Sequence, residues 1–253
     1  MTFADKTSLA GALNGTFASL DLVGRLRALR AQVAGRIAFT TSLGLEDQVI
    51  THAIAEAGVD VDIVTLDTGR LFPQTYQVWA ATEAKYGLKI RAFYPQTEAV
   101  EQLVTAQGID GFYHAVSARE ACCHVRKVEP LARALNGADV WITGLRADQS
   151  GHRQGMGFVT FEAGRGLIKA NPLLDWTREA AAQFAAQHEV PINELHAQGF
   201  LSIGCAPCTR AIKAGEPERA GRWWWEDEAK KECGLHVDAQ GRLVRTGAGE
   251  NAS

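Results

Sequence analysis

The chain has 253 residues, of which 46% are hydrophobic and 22% are charged, and its formal net charge at pH 7 is −3. These values are typical of a globular protein with a sizeable core, and they give no basic field that would favour nucleic acid. No apolar run approaches the roughly 20 residues that span a bilayer, and the N-terminus does not read as a signal peptide. We therefore expect a cytoplasmic protein without a membrane or nucleic-acid partner.

Helical and strand patterns alternate along the first half of the chain. Leucines and valines at helical spacing predict one N-terminal helix within residues 8–34. The alternation that follows predicts an α/β protein with a mostly parallel sheet covered by helices on both faces. Ligands of such sheets bind in the crevice beyond the carboxyl ends of the strands. The predicted strands are 36–42, 61–67, 88–95 and 138–144, with helices to about residue 56, over 74–86 and over 97–107.

The second half of the chain is less regular. Residues 145–170 are rich in glycine and charge, and predict a long connection with room for a hairpin. A helix is expected over 177–188, and Gly, Pro and Cys break the pattern from about residue 199. We predict a single α/β domain over 1–253, with a helical extension at 1–35 and a distinct C-terminal segment at 200–253.

Polar motifs follow three of the predicted strands. They are SLGLED at 42–47, LDTGRLFP at 66–73 and TGLRADQS at 143–150. Each one alone is also explained by an ordinary turn, a helix cap or a solvated loop. Because the carboxyl ends of parallel strands meet at one crevice, the three together predict a site for a nucleotide with an anionic tail.

Four of the five cysteines form two tight pairs. Cys122 and Cys123 are adjacent, Cys205 and Cys208 form a C-x-x-C, and Cys233 stands apart in KECGLH. A reducing cytoplasm favours a metal or catalytic role over disulfides. Four thiolates fit a tetrahedral zinc or a four-iron cluster, and an adjacent pair is unusual for structural zinc. Two buried structural cysteines with a chance C-x-x-C are the less favoured interpretation.

Four motifs in the second half of the chain identify a family. CCHVRKVEPL at 122–131, GCAPCTR at 204–210, ERAGRWWWE at 218–226 and KECGLH at 231–236 occur in this order. With them the chain closely resembles the assimilatory adenylyl-sulfate (APS) reductases, relatives of the 3′-phospho-APS (PAPS) reductases, over roughly residues 36–236. The resemblance implies an adenine nucleotide α-hydrolase-like fold of the PP-loop type, whose phosphate loop no longer handles ATP.

The resemblance also implies roles for individual residues. The four paired cysteines, Cys122, Cys123, Cys205 and Cys208, match the ligands of a [4Fe-4S] cluster, one per subunit. Cys233 matches the catalytic nucleophile and Lys127 a lysine between cluster and substrate, while Arg219 and Arg222 match arginines near the phosphosulfate. The remaining substrate contacts are expected in the strand-end motifs, at Ser42, Gly44, Glu46, Asp47, Leu66, Asp67, Thr68, Gly69, Arg70, Gly144, Arg146 and Gln149.

The expected activity is the reduction of APS to sulfite and AMP, in sulfate assimilation and cysteine biosynthesis. Reduced thioredoxin, or glutaredoxin, is the expected electron donor, acting on an S-sulfocysteine formed at Cys233 on a mobile tail. A homo-oligomer is expected. The alternatives are PAPS reduction, sulfur insertion into tRNA by an ATP-using relative, and a zinc-stapled nucleotide-binding module without catalysis. The loop SLGLED argues against ATP cleavage, because ATP-using relatives keep SGGxDS.

Overall fold

The computed structural model describes residues 2–149 and 156–227. In this part of the chain the strands are β1 Ile37–Thr41, β2 Asp62–Leu66, β3 Arg91–Phe93, β4 Val140–Ile142, β5 Val159–Glu162 and β6 Leu167–Ala170. They form one six-stranded sheet in the order β3-β2-β1-β4-β6-β5. All neighbouring strands are parallel except β5, which pairs antiparallel with β6. The predicted mostly parallel α/β sheet is therefore confirmed.

Eight α-helices accompany this sheet in the described residues. They are α1 Phe3–Phe17, α2 Leu22–Gln32, α3 Leu45–Ala57, α4 Pro73–Tyr86, α5 Thr97–Gln107, α6 Val116–Cys123, α7 Glu129–Leu135 and α8 Arg178–Gln187. A π-helical segment, His124–Val128, joins α6 directly to α7. None of the helices in the described part of the chain is long and apolar enough to cross a membrane.

The prediction of one N-terminal helix within 8–34 is wrong, because the structure has two helices there. α1 ends at Phe17, and the Asp21 carboxylate caps α2 by accepting from the Gly24 N–H at 2.7 Å. Phe17 at the end of α1 and Leu26 in α2 are both buried in the main core. The apolar spacing continues across the break, so the pattern hides it. The helical stretch from α6 to α7 was not predicted at all.

Helices bury apolar side chains against both faces of the sheet. Successive strand residues point to opposite faces, so Phe39 joins the main core with helices α1, α2, α3 and α8. Its neighbour Ala38 joins a smaller cluster with Leu131, Leu135 and Trp141 under α7. The sheet is thus covered on both sides, as the alternating pattern predicts.

The segment predicted as a long connection contains a hairpin. β5 and β6 pair from Val159–Ala170 to Glu162–Leu167, and Gly166 takes the left-handed conformation, with φ 66°, in the turn between them. A glycine adopts this conformation without steric cost. β6 lies parallel to β4 and extends the sheet, so the segment supplies part of the main sheet as well as a loop.

Candidate active site

A cavity of about 280 Å³ opens beyond the carboxyl ends of β1, β2 and β4. All three strand-end motifs and the C-terminal segment contribute to its wall. The predicted substrate residues that line it are Ser42, Gly44, Glu46, Asp47, Leu66, Thr68, Lys127, Gly144, Gln149, Arg219 and Arg222, together with Cys205. The structure therefore brings together residues that are up to 180 positions apart in the chain.

The loop after β1 is organised around the carboxylate of Asp47. The backbone N–H and the hydroxyl of Ser42 both donate to Asp47 Oδ2, each at 2.6 Å. Burial raises the pKa of Asp47 to about 6, although the two bonds from Ser42 act in the opposite direction. At neutral pH this carboxylate is therefore ionised and hydrogen-bonded inside the cavity wall.

Gly144, at the end of β4, packs against this loop. A side chain at position 144 would overlap Asp47 Oδ1 and press on Glu46 Cβ. The close approach of the Gly144 backbone therefore requires a glycine. It seats the end of β4 directly against the first turn of α3, where Glu46 and Asp47 lie.

Arg146 is fully buried and joins three segments of the cavity wall. Its guanidinium binds Glu46 at 2.8 Å, Glu218 at 2.8 Å and Asp148. Burial raises the pKa of Glu218 in spite of this partner. The Arg146 side chain does not line the cavity. It lies behind the wall, where its ion pairs connect α3 to the C-terminal segment.

The DTGR motif after β2 divides between the cavity and its surroundings. Asp67 is buried and accepts from the Gly69 N–H at 2.8 Å and from the Tyr76 hydroxyl at 2.9 Å. The Arg70 side chain pairs with Asp110 at 3.0 Å and lies over the Phe112 ring. Asp67, Gly69 and Arg70 are therefore outside the lining of the cavity, and Leu66 and Thr68 are in it.

The four paired cysteines lie in one cluster beside the cavity. Cys123, Cys205 and Cys208 are buried together with Phe112 and Trp223, and the half-buried Cys122 packs against them. None of the four forms a disulfide bond within the described part of the chain. Within residues 2–149 and 156–227, no group of three or more His, Cys, Asp or Glu side chains is arranged to hold a metal ion.

The thiols of this cluster differ in their tendency to ionise. Burial raises the pKa of Cys122, and burial with the neighbouring Cys205 raises the pKa of Cys208 to about 12. Burial also opposes ionisation of Cys205, but Lys127, the Thr68 hydroxyl and Arg222 outweigh it and lower the pKa. In donor chemistry, four soft thiols with cations beside them fit a thiolate-bound iron–sulfur cluster.

The π-helical segment carries two cations to the boundary between cysteines and cavity. Lys127 lines the cavity, and Arg126 is buried and donates to the Thr68 carbonyl at 2.6 Å. Single π turns in helices are frequent at functional sites. Arg126 was not among the predicted site residues, although its neighbour Lys127 in the same segment was.

Several lining residues were not predicted. Trp141 on β4 and Lys169 on β6 face the same side of the sheet, and the Lys169 ammonium lies 4.9 Å from the Trp141 ring centroid. Lys169 was missed because the strand that carries it was read as part of a loop. Glu218 also lines the cavity and lies within the recognised motif ERAGRWWWE, so its position could have been included.

The C-terminal segment is anchored before the tail begins. Arg119 and Glu226 form a buried ion pair at 2.7 Å, and Trp223 is buried against the cysteines, whereas Trp224 is 39% exposed. The three consecutive tryptophans thus face different environments. The predicted nucleophile Cys233 lies outside the described residues, as do the rest of KECGLH and positions 150–155 of the connection at 145–170.

Comparison with known proteins gives consistent similarities. Residues 36–211 match a family described as the phosphoadenosine phosphosulfate reductase domain. An adenosine 5′-phosphosulfate reductase of Agrobacterium fabrum is 54% identical over 89% of this chain and 86% of its own length. One from Sinorhizobium fredii is 53% identical over 94% of both chains. A crystal structure of phosphoadenylyl-sulfate (PAPS) reductase from Candida auris, a phosphate complex, is 27% identical with a TM-score of 0.68, covering 80% of this chain and 96% of its own.

Proposed function

The chain belongs to the phosphoadenosine phosphosulfate reductase family, and from this premise we propose that it is an adenosine 5′-phosphosulfate reductase. It is an oxidoreductase of sulfate reduction that converts APS to sulfite and AMP. The observation that carries the proposal is the contact between two sites, a cavity lined by Lys127, Arg219 and Arg222 and a cluster of four cysteines that shares Cys205 with it. The names of relatives that are 53–54% identical support APS as the substrate.

The cavity suits a nucleotide with an anionic tail. Leu66, Leu131 and Leu145 give part of the wall an apolar surface, which matches a purine base, and three cations from other segments match the phosphosulfate. Arginine is suited to such groups because its planar fork donates to two oxygens at once. Lys127, Arg219 and Arg222 offset the negative charge that would otherwise repel an approaching thiolate.

In the proposed reaction the Cys233 thiolate attacks the sulfur of APS. A bond forms between Cys233 Sγ and the sulfate sulfur, the bond from sulfur to the bridging oxygen breaks, and its electron pair leaves with AMP. A thiolate of reduced thioredoxin then attacks Cys233 Sγ, and sulfite leaves with the electron pair of the S–S bond. The second thioredoxin thiol resolves the mixed disulfide, which regenerates Cys233 and leaves oxidised thioredoxin.

Cys122, Cys123, Cys205 and Cys208 would hold a [4Fe-4S] cluster, one per subunit. When bound, the cluster supplies a local electrostatic field beside the substrate. Lys127 lines the cavity and lowers the pKa of Cys205, so it is placed to interact with both the substrate and the cysteine site. Glutaredoxin as an alternative donor, a cytoplasmic location and a homo-oligomeric assembly belong to the same proposal.

The test is the formation of sulfite and AMP by the full chain, purified without oxygen, from APS and reduced thioredoxin. We expect turnover with APS, much weaker turnover with PAPS under the same conditions, and no sulfite from Cys233→Ser. Preference for PAPS would assign the chain to the other activity of its family. Sulfite release by Cys233→Ser at the wild-type rate would rule out the proposed intermediate.

A further inference from the structure

The loop between β1 and α3 has the geometry of an anion site, but the chain itself fills part of it. A strand that runs through a tight loop into a helix points backbone N–H groups and the positive helix end toward a bound anion. Here the N–H and hydroxyl of Ser42 both donate to Asp47 Oδ2 at 2.6 Å. The Leu43 N–H donates to Thr41 Oγ1 at 2.9 Å. The backbone N–H groups of Ser42 and Leu43 therefore already donate to side chains of the protein.

The Asp47 carboxylate is held in this place from two sides. Oδ2 is fixed by Ser42, and the Gly144 backbone approaches Oδ1 so closely that any side chain at 144 would overlap it. Asp47 is only 8% exposed, although it contributes to the cavity wall. The carboxylate is thus a fixed part of the wall and not a side chain that moves aside for a ligand.

Charge is distributed unevenly around the cavity. On the α3 side, Glu46 and Glu218 line the wall next to Asp47, and Arg146 behind them is balanced by Glu46, Asp148 and Glu218. The π-helical and C-terminal segments contribute cations instead, namely Lys127, Arg219 and Arg222, and β6 adds Lys169 beside Trp141. The cavity therefore has an acidic side at the start of α3 and a basic side next to the cysteines.

We propose that Asp47 determines which nucleotides the cavity accepts, by occupying as an internal anion the position where a polyphosphate would bind in the β1–α3 loop. The inference rests on the proposed function in taking an adenine nucleotide as the ligand. Outer phosphates that extend along this loop would lie against the carboxylates of Asp47 and Glu46. Like charges in contact repel strongly in a partly buried site. A phosphosulfate is directed to the basic side, beside the cysteines.

The experiment measures the dissociation constants of AMP and of metal-free ATP by isothermal titration calorimetry, with the full chain purified without oxygen. We expect the wild type to bind ATP at least about tenfold more weakly than AMP, which corresponds to about 1.4 kcal/mol. Asp47→Ser removes the internal anion. It should lower the ratio of the ATP dissociation constant to the AMP dissociation constant at least fivefold, chiefly through tighter ATP binding. Asp47→Asn keeps the shape and removes the charge, and should narrow the ratio in the same direction.

Glu56→Gln is the matched control, because it removes one negative charge from the far end of the same helix, where Glu56 is half exposed. It should leave the ratio unchanged. If a folded Asp47→Ser or Asp47→Asn protein still binds AMP and its ratio of ATP to AMP dissociation constants is unchanged, the proposed role of Asp47 is wrong. The proposed function is not affected by that result. A wild type that binds ATP as tightly as AMP has the same consequence. A wild type that binds neither nucleotide overturns the proposed function as well.

Discussion

The hydroxyl of Thr68 lies 3.2 Å from Cys205 Sγ, so one side chain of the β2 loop contacts both the cavity and the cysteine cluster. A second link runs in the same direction, because the Ala206 N–H donates to the Arg70 carbonyl at 2.8 Å. Together they fix the C-x-x-C turn against the loop that follows β2. The cavity and the cysteine cluster are thereby joined by two direct contacts.

We expect Thr68→Val to lower kcat/KM for APS by roughly fivefold, because a net hydrogen bond contributes about 1 kcal/mol. The change keeps the shape of the side chain and removes only the hydroxyl. Steady-state kinetics at saturating thioredoxin provide the measurement. Thr160→Val, at an exposed position of β5, is the control. Equal kinetics for the two variants would mean that the contact with Cys205 has no role in turnover.

The metal content of the protein distinguishes the proposed cluster from zinc. Protein purified without oxygen should contain iron and acid-labile sulfide in equal amounts, and Cys205→Ser should lose much of both, because one thiolate ligand is missing. Elemental analysis and sulfide determination on the same sample provide the measurement. Zinc without sulfide in the wild type would contradict the cluster and favour the zinc-stapled alternative.

Arg146→Met should destabilise the fold by about 3 kcal/mol, because it removes the fully buried partner of two mostly buried carboxylates, Glu46 and Glu218. Asp148 is 43% exposed and Glu218 keeps Arg178 at 3.6 Å, so Glu46 is the group left with least compensation. Denaturant unfolding at pH 7.5 measures the change. Arg146→Met combined with Glu218→Gln should recover part of the loss, since one uncompensated charge is removed. A loss under 1 kcal/mol in the single variant would show that water or a relaxed wall solvates these carboxylates.

Asp47 should make the wild type less stable as the pH rises from about 4 to about 6. Its pKa is raised from 3.8 to about 6 in the folded state, so in this window the folded protein binds more protons than the unfolded chain. The cost reaches about 3 kcal/mol above pH 6. Asp47→Asn has no such ionisation cost. The difference in unfolding free energy between this variant and the wild type should therefore increase in favour of the variant as the pH rises across the window.

The pH experiment compares the two proteins by urea unfolding at several pH values, so titrations that they share cancel. Glu46 faces Asp47 and raises its pKa, whereas Ser42 lowers it. Arg146 pairs with Glu46 and is present in both proteins. A difference in unfolding free energy that stays constant from pH 4 to pH 8 would mean that Asp47 titrates normally.

Gly144→Ala should destabilise the protein by about 1–3 kcal/mol, because the added methyl group overlaps the Asp47 carboxylate and presses on Glu46. Gly11→Ala is the matched control. Position 11 lies inside α1 with no atom within 4 Å of an added Cβ, so alanine there should stabilise the helix by about 0.5–1 kcal/mol. Opposite signs in thermal unfolding support the close contact between β4 and α3; a neutral Gly144→Ala would argue against it.

The sequence predicts the sheet well, because alternating apolar runs and helical spacing report directly which faces are buried. It places the strands β1 to β4 and the convergence of their carboxyl ends. Helix α6 and the π-helical segment, in VSAREACCHVRKV, were not predicted. Contacts with distant segments hold this stretch, such as Arg119 with Glu226 and Arg126 with Thr68. The break between α1 and α2 depends on one capping carboxylate, which periodicity does not register.

For the site, the residue types in the motifs predicted which segments surround the cavity better than they predicted which side chains face into it. Ser42, Thr68 and Lys127 line the cavity, whereas the side chains of Arg70 and Arg146 turn to carboxylates elsewhere. An arginine after a strand has the right chemistry for an anion, but only the fold decides whether it meets a ligand or Asp110. Two of the three partners of Arg146, Glu46 and Glu218, are 100 and 72 positions away from it, beyond the reach of any local pattern.

Those separations have a consequence for how the protein matures. Contacts between residues so distant in the chain form late in folding, because the entropy of closing a long loop is lost before the contacts can stabilise it. During synthesis the cavity stays incomplete until Glu218 and Arg222 have left the ribosome, because both belong to its wall. An adenine nucleotide that binds only the finished cavity stabilises the native chain by mass action and gives no support to partly folded forms. Its ligand would thus act as a checkpoint for complete folding.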